Sequence, residues 1–260
     1  MSLHIAVVMD PIEGIKPYKD SSLAMLQAAQ ARGHTLWYLE QGDLFVRDGE
    51  AIGDMAPLTV FDSLEKWFER GERRAKPLRE LDVILMRKDP PFDMNFVYST
   101  YILEKAEAAG VLVVNNPQSL RDCNEKFFAT HFPHCMVPTL ISADMKRLRA
   151  FVQELKDAIV KPLDGMGGSG IFRLTAGGPN IGATLEALTL NGTQPVMAQR
   201  YIPEIVHGDK RILMIDGEPV PYCLARVPQG DEVRGNLAAG GIGEPRLLTL
   251  QDRWLAQQVG

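Results

Sequence analysis

The sequence predicts an α/β protein built from two domains. In the first half of the chain, short apolar runs rich in Val, Ile and Leu alternate with segments of helical periodicity, which is the pattern of βαβ units and an open parallel sheet. In the second half, a glycine-rich loop lies between two strand-like segments. A length of 260 residues suffices for two ordinary domains. We place the boundary near residue 120, which gives a first domain of residues 1–120 and a second of residues 121–260.

The composition argues against several classes of function. Hydrophobic residues make up 45% of the chain and charged residues 23%, values typical of a globular protein. The formal net charge of −5 argues against a general nucleic-acid binder. No apolar run approaches the ~20 residues of a membrane span, and the three scattered cysteines favour reduced thiols. We therefore expect a cytoplasmic protein that binds neither nucleic acid nor membrane.

The first domain is predicted to start with one βαβ unit. The run HIAVVM predicts a buried strand, and the segment after Asp20 predicts a helix that ends at Gly33. Asp48-Gly49 predicts a hairpin turn, and the charged segment 63–76 predicts a surface helix or loop. The further elements predicted for this domain are strands 35–39, 81–86 and 111–115 and a helix 95–109.

Polar residues directly follow the predicted strands of this domain. They are Asp10, Arg87, Lys88, Asp89 and Asn115. Ligands of open α/β sheets bind at the carboxyl ends of the strands. For each of these residues, the alternative is a solvated side chain that merely ends a buried strand. Arg87 is the one that we favour as a ligand contact.

The second domain is predicted to begin with a helix over residues 116–132. Lys126 falls within this helix, where a solvated face is the ordinary location of a lysine. His131, His134 and Cys135 do not have the spacing of a zinc site, so we assign no metal there. The remaining predicted elements are strands 137–141, 158–162, 171–174 and 196–199, helices 144–156 and 181–190, and a hairpin 209–226 that turns at Asp216-Gly217.

The segment from Lys161 to Gly170, KPLDGMGGSG, is the most informative motif in the chain. It has four glycines within six residues. Glycines remove side chains, permit positive φ and let backbone N–H groups approach a ligand closely. Such a loop suits a polyphosphate, and Lys161 supplies positive charge beside it. A flexible hairpin without a ligand is the alternative.

The residues after this loop discriminate between nucleotide-binding folds. Residues 165–170 match Gly-x-Gly-x-x-Gly, but a dinucleotide-binding loop requires a helix at this point, and the strand-like segment 171–174 follows instead. A Walker A loop requires Gly-Lys-Ser/Thr, which the segment lacks. Protein kinases also place a glycine loop between strands, but the sequence has no His-Arg-Asp or Asp-Phe-Gly element. A strand–loop–strand flap over phosphates remains.

Later segments agree with a nucleotide site. A strand that ends before Pro203 leaves backbone N–H and C=O groups available for the edge of an adenine ring. Arg211, Arg226 and Arg234 are associated with glycine turns, an arrangement that favours anion binding. Residues 229–243 contain five glycines and predict a mobile second loop that closes over substrate.

Several long segments resemble one enzyme family. KPLDGMGGSGIF, MAQRYIP, GDKRILMIDGEPVPYCLARVPQG and RGNLAAGG in the second half, with VMDPI, MRKDPPFD and NNPQSLRDCNEKFF in the first, closely resemble the bacterial glutathione synthetases of the ATP-grasp superfamily. The resemblance covers essentially the whole chain. It implies a Rossmann-like pre-ATP-grasp domain followed by an α+β ATP-grasp domain, with a lid subdomain over residues 121–200 and a C-terminal subdomain over residues 201–260.

The resemblance implies ATP-dependent ligation of glycine to γ-glutamylcysteine. In the family, the cysteinyl carboxylate attacks the γ-phosphate of ATP to form an acyl phosphate, and the glycine amine then displaces phosphate to give glutathione. Lysines, arginines, glycine loops and Mg²⁺ or Mn²⁺ are expected for such chemistry, because it depends on positioning and on charge neutralisation. The family also implies a homo-oligomer, namely a tetramer.

The resemblance further implies roles for individual residues, by their position in the family's motifs. For Lys126 it implies a phosphate contact in place of a solvated face. The residues matched to ATP are Lys126, Lys161, Asp164, Gly165, Gly167, Gly168, Ser169, Gly170, Gln199, Tyr201, Ile202 and Asp209. The residues matched to the γ-phosphate and acyl phosphate are Arg211, Arg226 and Asn236. The residues matched to substrate are Arg87, Arg226, Arg234 and Gly240.

The sequence departs from the family at its end. The family continues past a helix that resembles residues 250–259 into a strand-rich segment, which carries an Asp and a Glu-x-Asn that ligate Mg²⁺. No Asp or Glu of this chain has a matching position. We therefore assign no metal ligand and expect the chain to be incomplete at Gly260. The alternatives to the implied activity are another carboxylate–amine ligase of the superfamily and an inactive nucleotide-binding module.

Overall fold

The structure is a computed structural model that describes residues 2–88, 91–230 and 234–260. The chain divides into two compact units, Met1–Cys123 and Asn124–Gly260. Asp89, which the sequence places at the end of a strand, lies outside the described residues. Among the residues that are described, no helix combines the length and the apolar character that crossing a bilayer requires.

The first unit folds as one sheet with helices on both faces. Its elements in chain order are β1 (His4–Val8), α1 (Ser21–Ala31), β2 (Thr35–Leu39), β3 (Leu44–Arg47), β4 (Glu50–Val60), β5 (Phe68–Arg70), β6 (Arg74–Pro77), β7 (Val83–Met86), α2 (Met94–Ala108), β8 (Leu112–Val114) and α3 (Pro117–Asp122). The central order β2-β1-β7-β8 is parallel throughout. This confirms the predicted open parallel sheet.

The helices of this unit cover opposite faces because side chains alternate along a strand. On β1, Val7 clusters with Leu23 of α1, whereas its neighbour Ala6 clusters with Leu103 of α2. Both faces of the central strands are therefore buried, which explains their nearly continuous apolar sequences.

The prediction of a surface helix or loop over residues 63–76 is wrong. This segment contributes β5 and β6, which both pair antiparallel with the eleven-residue strand β4. Arg73 lies between the two strands and forms ion pairs with Glu40 and Asp43. Edge strands carry charged side chains that discourage further pairing, so their composition resembles that of a surface loop.

The second unit contains two antiparallel sheets. Its elements are β9 (Thr139–Ser142), α4 (Met145–Leu155), β10 (Asp157–Pro162), β11 (Phe172–Thr175), α5 (Ile181–Thr189), β12 (Val196–Arg200), β13 (Asp209–Ile215), β14 (Glu218–Val227), β15 (Ile242–Leu247) and α6 (Leu250–Val259). One sheet has the order β11-β10-β12-β9 and the other the order β13-β14-β15. Helices α4 and α5 pack on one face of the four-stranded sheet, and α6 packs against β14.

Both predicted Asp-Gly hairpin turns are confirmed. Asp48 and Gly49 have φ angles of 51° and 83°, and Asp216 and Gly217 have φ angles of 51° and 78°. Positive φ at both central residues is the requirement of a type I′ turn, whose twist matches that of the flanking strands.

The predicted helix over residues 116–132 is wrong in its second half. Helix α3 ends at Asp122, and the side chain of Asn124 then accepts hydrogen bonds from the backbone N–H groups of Lys126 (3.1 Å) and Phe127 (2.9 Å). Asparagine competes in this way with the helical backbone for its donors. A separate 3₁₀ turn follows at Phe127–His131, so Lys126 does not lie on the exposed face of a helix.

An ion pair between a buried carboxylate and a partly exposed lysine holds α6 against the three-stranded sheet. Asp252 is 6% exposed and accepts hydrogen bonds from Lys210 Nζ at 2.7 and 3.0 Å. It also accepts from the backbone N–H and the hydroxyl of Thr249 at the start of the helix. Burial acts to raise the pKa of Asp252, but the hydrogen bonds from Lys210 and Thr249 outweigh it and hold this pKa below its ordinary value.

We expect Lys210→Met to lower the free energy of unfolding of the second unit by about 1–3 kcal/mol at neutral pH, because it removes the cationic partner of a buried carboxylate. Since the folded-state pKa of Asp252 is depressed, its stabilisation is present above the unfolded-state value near 3.8 and is lost as the pH falls below that value. Urea unfolding from pH 7 down to pH 3.5 measures the difference, with Lys146→Met as the control at an exposed position. A difference that stays constant over this range would contradict the assignment.

Candidate active site

The four-stranded sheet of the second unit has one face covered by helices and one face that lines a cavity. The register pairs Lys161 with Met197 and Ile159 with Gln199, and these four side chains project from the face opposite to α4 and α5. The cavity measures about 340 Å³, a volume in the range of small-molecule sites. The predicted site residues that line it are Lys126, Lys161, Gly165, Gly167, Gly168, Ser169, Gln199, Asp209, Arg226 and Asn236.

A second cavity of about 210 Å³ shares Lys161 and Gln199 with the first. Its wall is mainly apolar and includes the predicted residues Tyr201 and Ile202. The apolar residues that the sequence analysis did not identify are Val137, Ile159, Ile171 and Ile205. Alternation along the strands provides a signal for Ile159, because it lies two residues before Lys161 on the same face.

The two lysines differ in how their charge is accommodated. Lys126 Nζ donates hydrogen bonds to the carbonyl oxygens of Leu163 (3.1 Å) and Gly165 in the glycine loop. Burial lowers the pKa of Lys161, and the positive charge of Lys126 lowers it further, while Glu125 acts in the opposite direction. An anion in the cavity would offset the electrostatic cost of holding these two ammonium groups together.

The glycine loop has the predicted strand–loop–strand geometry, because β10 and β11 pair antiparallel on either side of it. Gly167, Gly168 and Gly170 all have positive φ. A Cβ atom on Gly168 would lie 2.9 Å from Oδ1 of Asn236, and the carbonyl oxygen of Gly168 accepts a hydrogen bond from Arg234 Nη1 at 3.2 Å. The small loop and the second glycine-rich loop therefore contact each other closely.

An ion pair on the three-stranded sheet faces the same cavity. Asp209 and Arg226 are opposite each other on β13 and β14, and Arg226 Nε lies 2.6 Å from Asp209 Oδ1. Gly235 is buried directly beside this pair, where a Cβ atom would collide with the carbonyl oxygen of Arg226. Arg211 is exposed and lines neither cavity, although strand alternation places it on the same face as Asp209.

Other predicted residues lie outside the larger cavity. Asp164 is exposed and accepts a hydrogen bond from Asn124 Nδ2 at 3.1 Å. Gly170 packs against Pro162, and Gly240 ends a 3₁₀ turn with φ of 92° and open space where a Cβ would project. The predicted second loop over residues 229–243 includes residues 231–233, which lie outside the described part of the chain.

Arg87 belongs to the first unit. Its Nε atom donates a hydrogen bond to Ser22 Oγ at 3.1 Å, and Ser22 is buried on α1. The neighbouring Lys88 forms an ion pair of 2.8 Å with Asp10. The carboxyl ends of β1 and β7 thus carry a polar group of side chains, as expected for parallel strands of an open sheet.

The described residues do not form a site for a divalent cation. Over residues 2–88, 91–230 and 234–260, no group of three or more His, Cys, Asp or Glu side chains is arranged to hold a metal. The two carboxylates that line the larger cavity are those of Glu125 and Asp209, and Asp209 is already paired with Arg226. Mg²⁺ usually keeps several waters and takes one or two carboxylates beside substrate phosphates, so these side chains by themselves form no closed cage for the ion.

Comparison with known proteins identifies one family over both units. Residues 3–121 match the family described as prokaryotic glutathione synthetase, N-terminal domain, and residues 125–260 match prokaryotic glutathione synthetase, ATP-grasp domain. The chain is 64% identical over 260 residues to the glutathione synthetase of Pseudomonas putida and 55% identical over 258 residues to that of Escherichia coli strain K12. These alignments include 100% and 99% of this chain and 82% of each relative.

Solved structures share the fold at low sequence identity. The crystal structure of D-cycloserine synthetase DcsG has a TM-score of 0.64 at 15% identity, covering 98% of this chain and 78% of that chain. The ATP-grasp ligase PsnB, complexed with precursor peptide PsnA2 and AMPPNP, has a TM-score of 0.55 at 19% identity with the same coverage. D-alanyl-alanine synthetase A from Vibrio cholerae has a TM-score of 0.55 at 12% identity, covering 99% and 79%. At these identities the likeness shows the fold alone.

We expect Lys161→Met to stabilise the nucleotide-free protein and to weaken ATP binding by about 10- to 100-fold. The substitution removes a partly buried charge whose pKa is already lowered by burial and by Lys126. Urea unfolding without nucleotide and calorimetric titration with ATP measure the two effects.

The matched control is Lys210→Met, which makes the same exchange outside the cavity. It should lower the free energy of unfolding, because Lys210 forms a structural ion pair with Asp252. It should leave ATP affinity within about twofold, because this pair lies outside the cavity. Reduced stability of Lys161→Met, or unchanged ATP binding, would count against a phosphate role for Lys161.

Proposed function

The chain belongs to the family of prokaryotic glutathione synthetases, and from that premise we propose how its residues act. It is an ATP-dependent ligase of glutathione synthesis with the ATP-grasp fold. We propose that it joins glycine to γ-glutamylcysteine through an acyl phosphate and releases ADP and phosphate. The observation that carries the proposal is the single cavity lined by two lysines, a glycine loop and the Asp209–Arg226 pair.

We propose that the larger cavity holds the triphosphate. Lys126 and Lys161 supply positive charge, and the backbone N–H groups of Gly167 and Gly168 supply hydrogen-bond donors. Ser169 also lines the cavity, but its N–H donates to the carbonyl oxygen of Met166 within the loop. Asp164 and Gly170 flank these groups and shape the loop. The adjoining apolar cavity takes the adenine, which packs against Ile159 and Ile171. Tyr201 and Ile202 border this cavity in the segment that directly follows β12. Asp209 accepts a hydrogen bond from the ribose.

The ring of Tyr201 is held in place by its neighbours. The guanidinium of Arg173 lies 3.8 Å from the centre of this ring, and Arg173 itself pairs with Asp157 at 2.6 Å. A cation stacked on an aromatic ring restricts its rotation. This arrangement supports a fixed wall for a planar base.

Arg226 and Asn236 are proposed to stabilise the charge that develops during phosphoryl and acyl transfer. Arg226 uses Nε for Asp209, which leaves the two terminal nitrogens of its guanidinium to face phosphate oxygens in a fork geometry. Arg211 and Arg234 add positive charge on the approach of the substrates, and Gly240 lies in the loop that carries Asn236. Contact between the two loops excludes water, which would otherwise hydrolyse the acyl phosphate.

Arg87 is proposed to bind a carboxylate of the dipeptide. Its Nε atom is occupied by Ser22, so the two terminal nitrogens can pair with both oxygens of one carboxylate. This geometry discriminates a planar carboxylate from a neutral amide and supports a role in substrate orientation.

The substrates are small molecules, and members of this family use ATP with a divalent metal ion. We propose Mg²⁺ or Mn²⁺ as the ion. We assign no catalytic step to the metal, because no group of three or more His, Cys, Asp or Glu side chains among the described residues is arranged to hold it. We propose a cytoplasmic location, which the three free thiols support. The formal net charge of −5 supports the proposal that the protein has no nucleic-acid partner, and we propose no membrane partner either. A homotetramer is supported by family membership.

Release of ADP with each substrate omitted in turn tests the proposed reaction. We expect the purified full-length protein to release ADP only when γ-glutamylcysteine and glycine are both present, and to form one glutathione per ADP. Turnover with a different dipeptide or amino acid in place of these substrates would assign it to another carboxylate–amine ligation. ATP binding without turnover would contradict the proposal.

Arg226→Ala should lower kcat by about 10²-fold or more, as loss of a group that stabilises transition-state charge does. ATP affinity should fall by a smaller factor, because Lys126 and Lys161 still contact the phosphates while Asp209 loses its partner. Steady-state kinetics and calorimetric titration with ATP separate the two effects. Arg253→Ala, at an exposed position of α6, serves as the control. An unchanged kcat would remove Arg226 from the mechanism.

A further inference from the structure

The face of the four-stranded sheet that lines the nucleotide cavities also carries a threonine on its edge strand β9. Thr139 on β9 is directly opposite Gln199 on β12, and Ile159 of β10 is opposite Gln199 on its other side. All three side chains therefore project from the same face of the sheet. Gln199 lines both cavities, whereas Thr139 lies behind it at the edge of the sheet.

Two consecutive hydrogen bonds connect these side chains. The hydroxyl of Thr139 donates to the carbonyl oxygen of Val137 at 2.7 Å. The amide nitrogen Nε2 of Gln199 donates to the hydroxyl oxygen of Thr139 at 3.0 Å. A hydroxyl has one hydrogen, and here it is committed to a backbone carbonyl, so the hydroxyl oxygen can only accept from its other neighbour.

This arrangement fixes the orientation of the amide. If the side chain of Gln199 were flipped, its carbonyl oxygen would face the hydroxyl oxygen of Thr139, and a hydrogen bond between them would require the hydroxyl to give up its bond to Val137. The orientation of a glutamine amide follows from such donor and acceptor requirements of its partners. Among the described residues, none donates a hydrogen bond to Oε1 of Gln199. The amide therefore presents an acceptor to the nucleotide cavities.

We propose that Thr139 is a positioning residue that makes the protein select adenine by holding Oε1 of Gln199 as an acceptor for the 6-amino group of the base. Guanine and hypoxanthine have a carbonyl oxygen at that position, which would face Oε1 with no hydrogen between them. The inference rests on the proposed function, because it requires that the base occupies the apolar cavity beside Gln199. It concerns selectivity among nucleotides, to which phosphate contacts are indifferent.

The test compares ATP with ITP, which replaces the 6-amino group by a carbonyl, carries a hydrogen on N1 and adds no group at C2. Because the N1 difference is the same for every variant, a change in the ratio between variants reports on the contact of Gln199 with the 6-position. Thr139→Val keeps the side-chain volume and removes the hydroxyl, so the amide of Gln199 can turn. We expect the ratio of kcat/KM for ATP to that for ITP to fall about tenfold. The effect should appear in KM, while kcat stays nearly unaltered. Thr139→Ser retains the hydroxyl and should keep the ratio of the unaltered protein.

The ratio is insensitive to folding defects. Any fraction of inactive protein lowers the rates with ATP and with ITP equally, so a purely structural effect of Thr139→Val leaves the ratio unchanged. An unchanged ratio in Thr139→Val, together with a reduced ratio in Gln199→Leu, would overturn the role of Thr139 and leave the base contact of Gln199 intact.

A double substitution shows whether Thr139 acts through Gln199. Gln199→Leu should reduce the ratio by itself, and adding Thr139→Val should cause no further reduction, because the amide to be positioned is gone. A further reduction would show that Thr139 acts by another route and would overturn the inference. An unchanged ratio in Gln199→Leu would show that Oε1 of Gln199 does not contact the base and would overturn the inference, while adenine binding in the apolar cavity would still stand.

Discussion

Two ammonium groups share one partly desolvated cavity, and much of the second unit is arranged around that constraint. Burial and the charge of Lys126 both lower the pKa of Lys161, so an anion in the cavity would stabilise its charged form. Lys126 donates hydrogen bonds to the carbonyl oxygens of Leu163 and Gly165, which stabilise its positive charge. The glycine loop thus supplies acceptors to a lysine, and we propose that its N–H groups donate to phosphate oxygens in the cavity. Glycines favour both contacts because no Cβ atom keeps the lysine or an anion away from the backbone.

The absence of side chains also determines how closely the two glycine-rich loops approach each other. Gly168 meets Asn236 and Arg234 at distances that a Cβ atom would prevent, and Gly235 lies against the backbone of Arg226. These contacts bring residues from two strand connections and from strand β14 to one cavity. The glycines therefore serve close approach as much as flexibility. The positive φ of Gly168 reinforces this requirement, since few side chains tolerate that conformation.

Sequence patterns predicted the parallel core, both Asp-Gly turns and the strand–loop–strand flap, because each depends on local signals such as apolar runs and turn residues. They failed for residues 63–76, whose strands exist only because β4 offers an edge to pair with. They misplaced Lys126 because one asparagine side chain, that of Asn124, diverts two backbone donors from the helix. Thr139 had no recognisable signal. Its importance follows from the register that places it opposite Gln199, and register is a property of the folded sheet.

Affinity and selectivity for the nucleotide are assigned to different atoms on shared strands. Lys161 and Gln199 lie on adjacent antiparallel strands, so the hydrogen bonds between β10 and β12 fix their separation. A lysine attracts any triphosphate, whatever its base. Selection of the base requires a neutral group with a defined polarity, and an amide acquires one only when a neighbour limits its orientation. The hydroxyl of Thr139 can do this because its single hydrogen is bound to the carbonyl of Val137. Selectivity at the cavity therefore depends on a hydrogen bond made behind it.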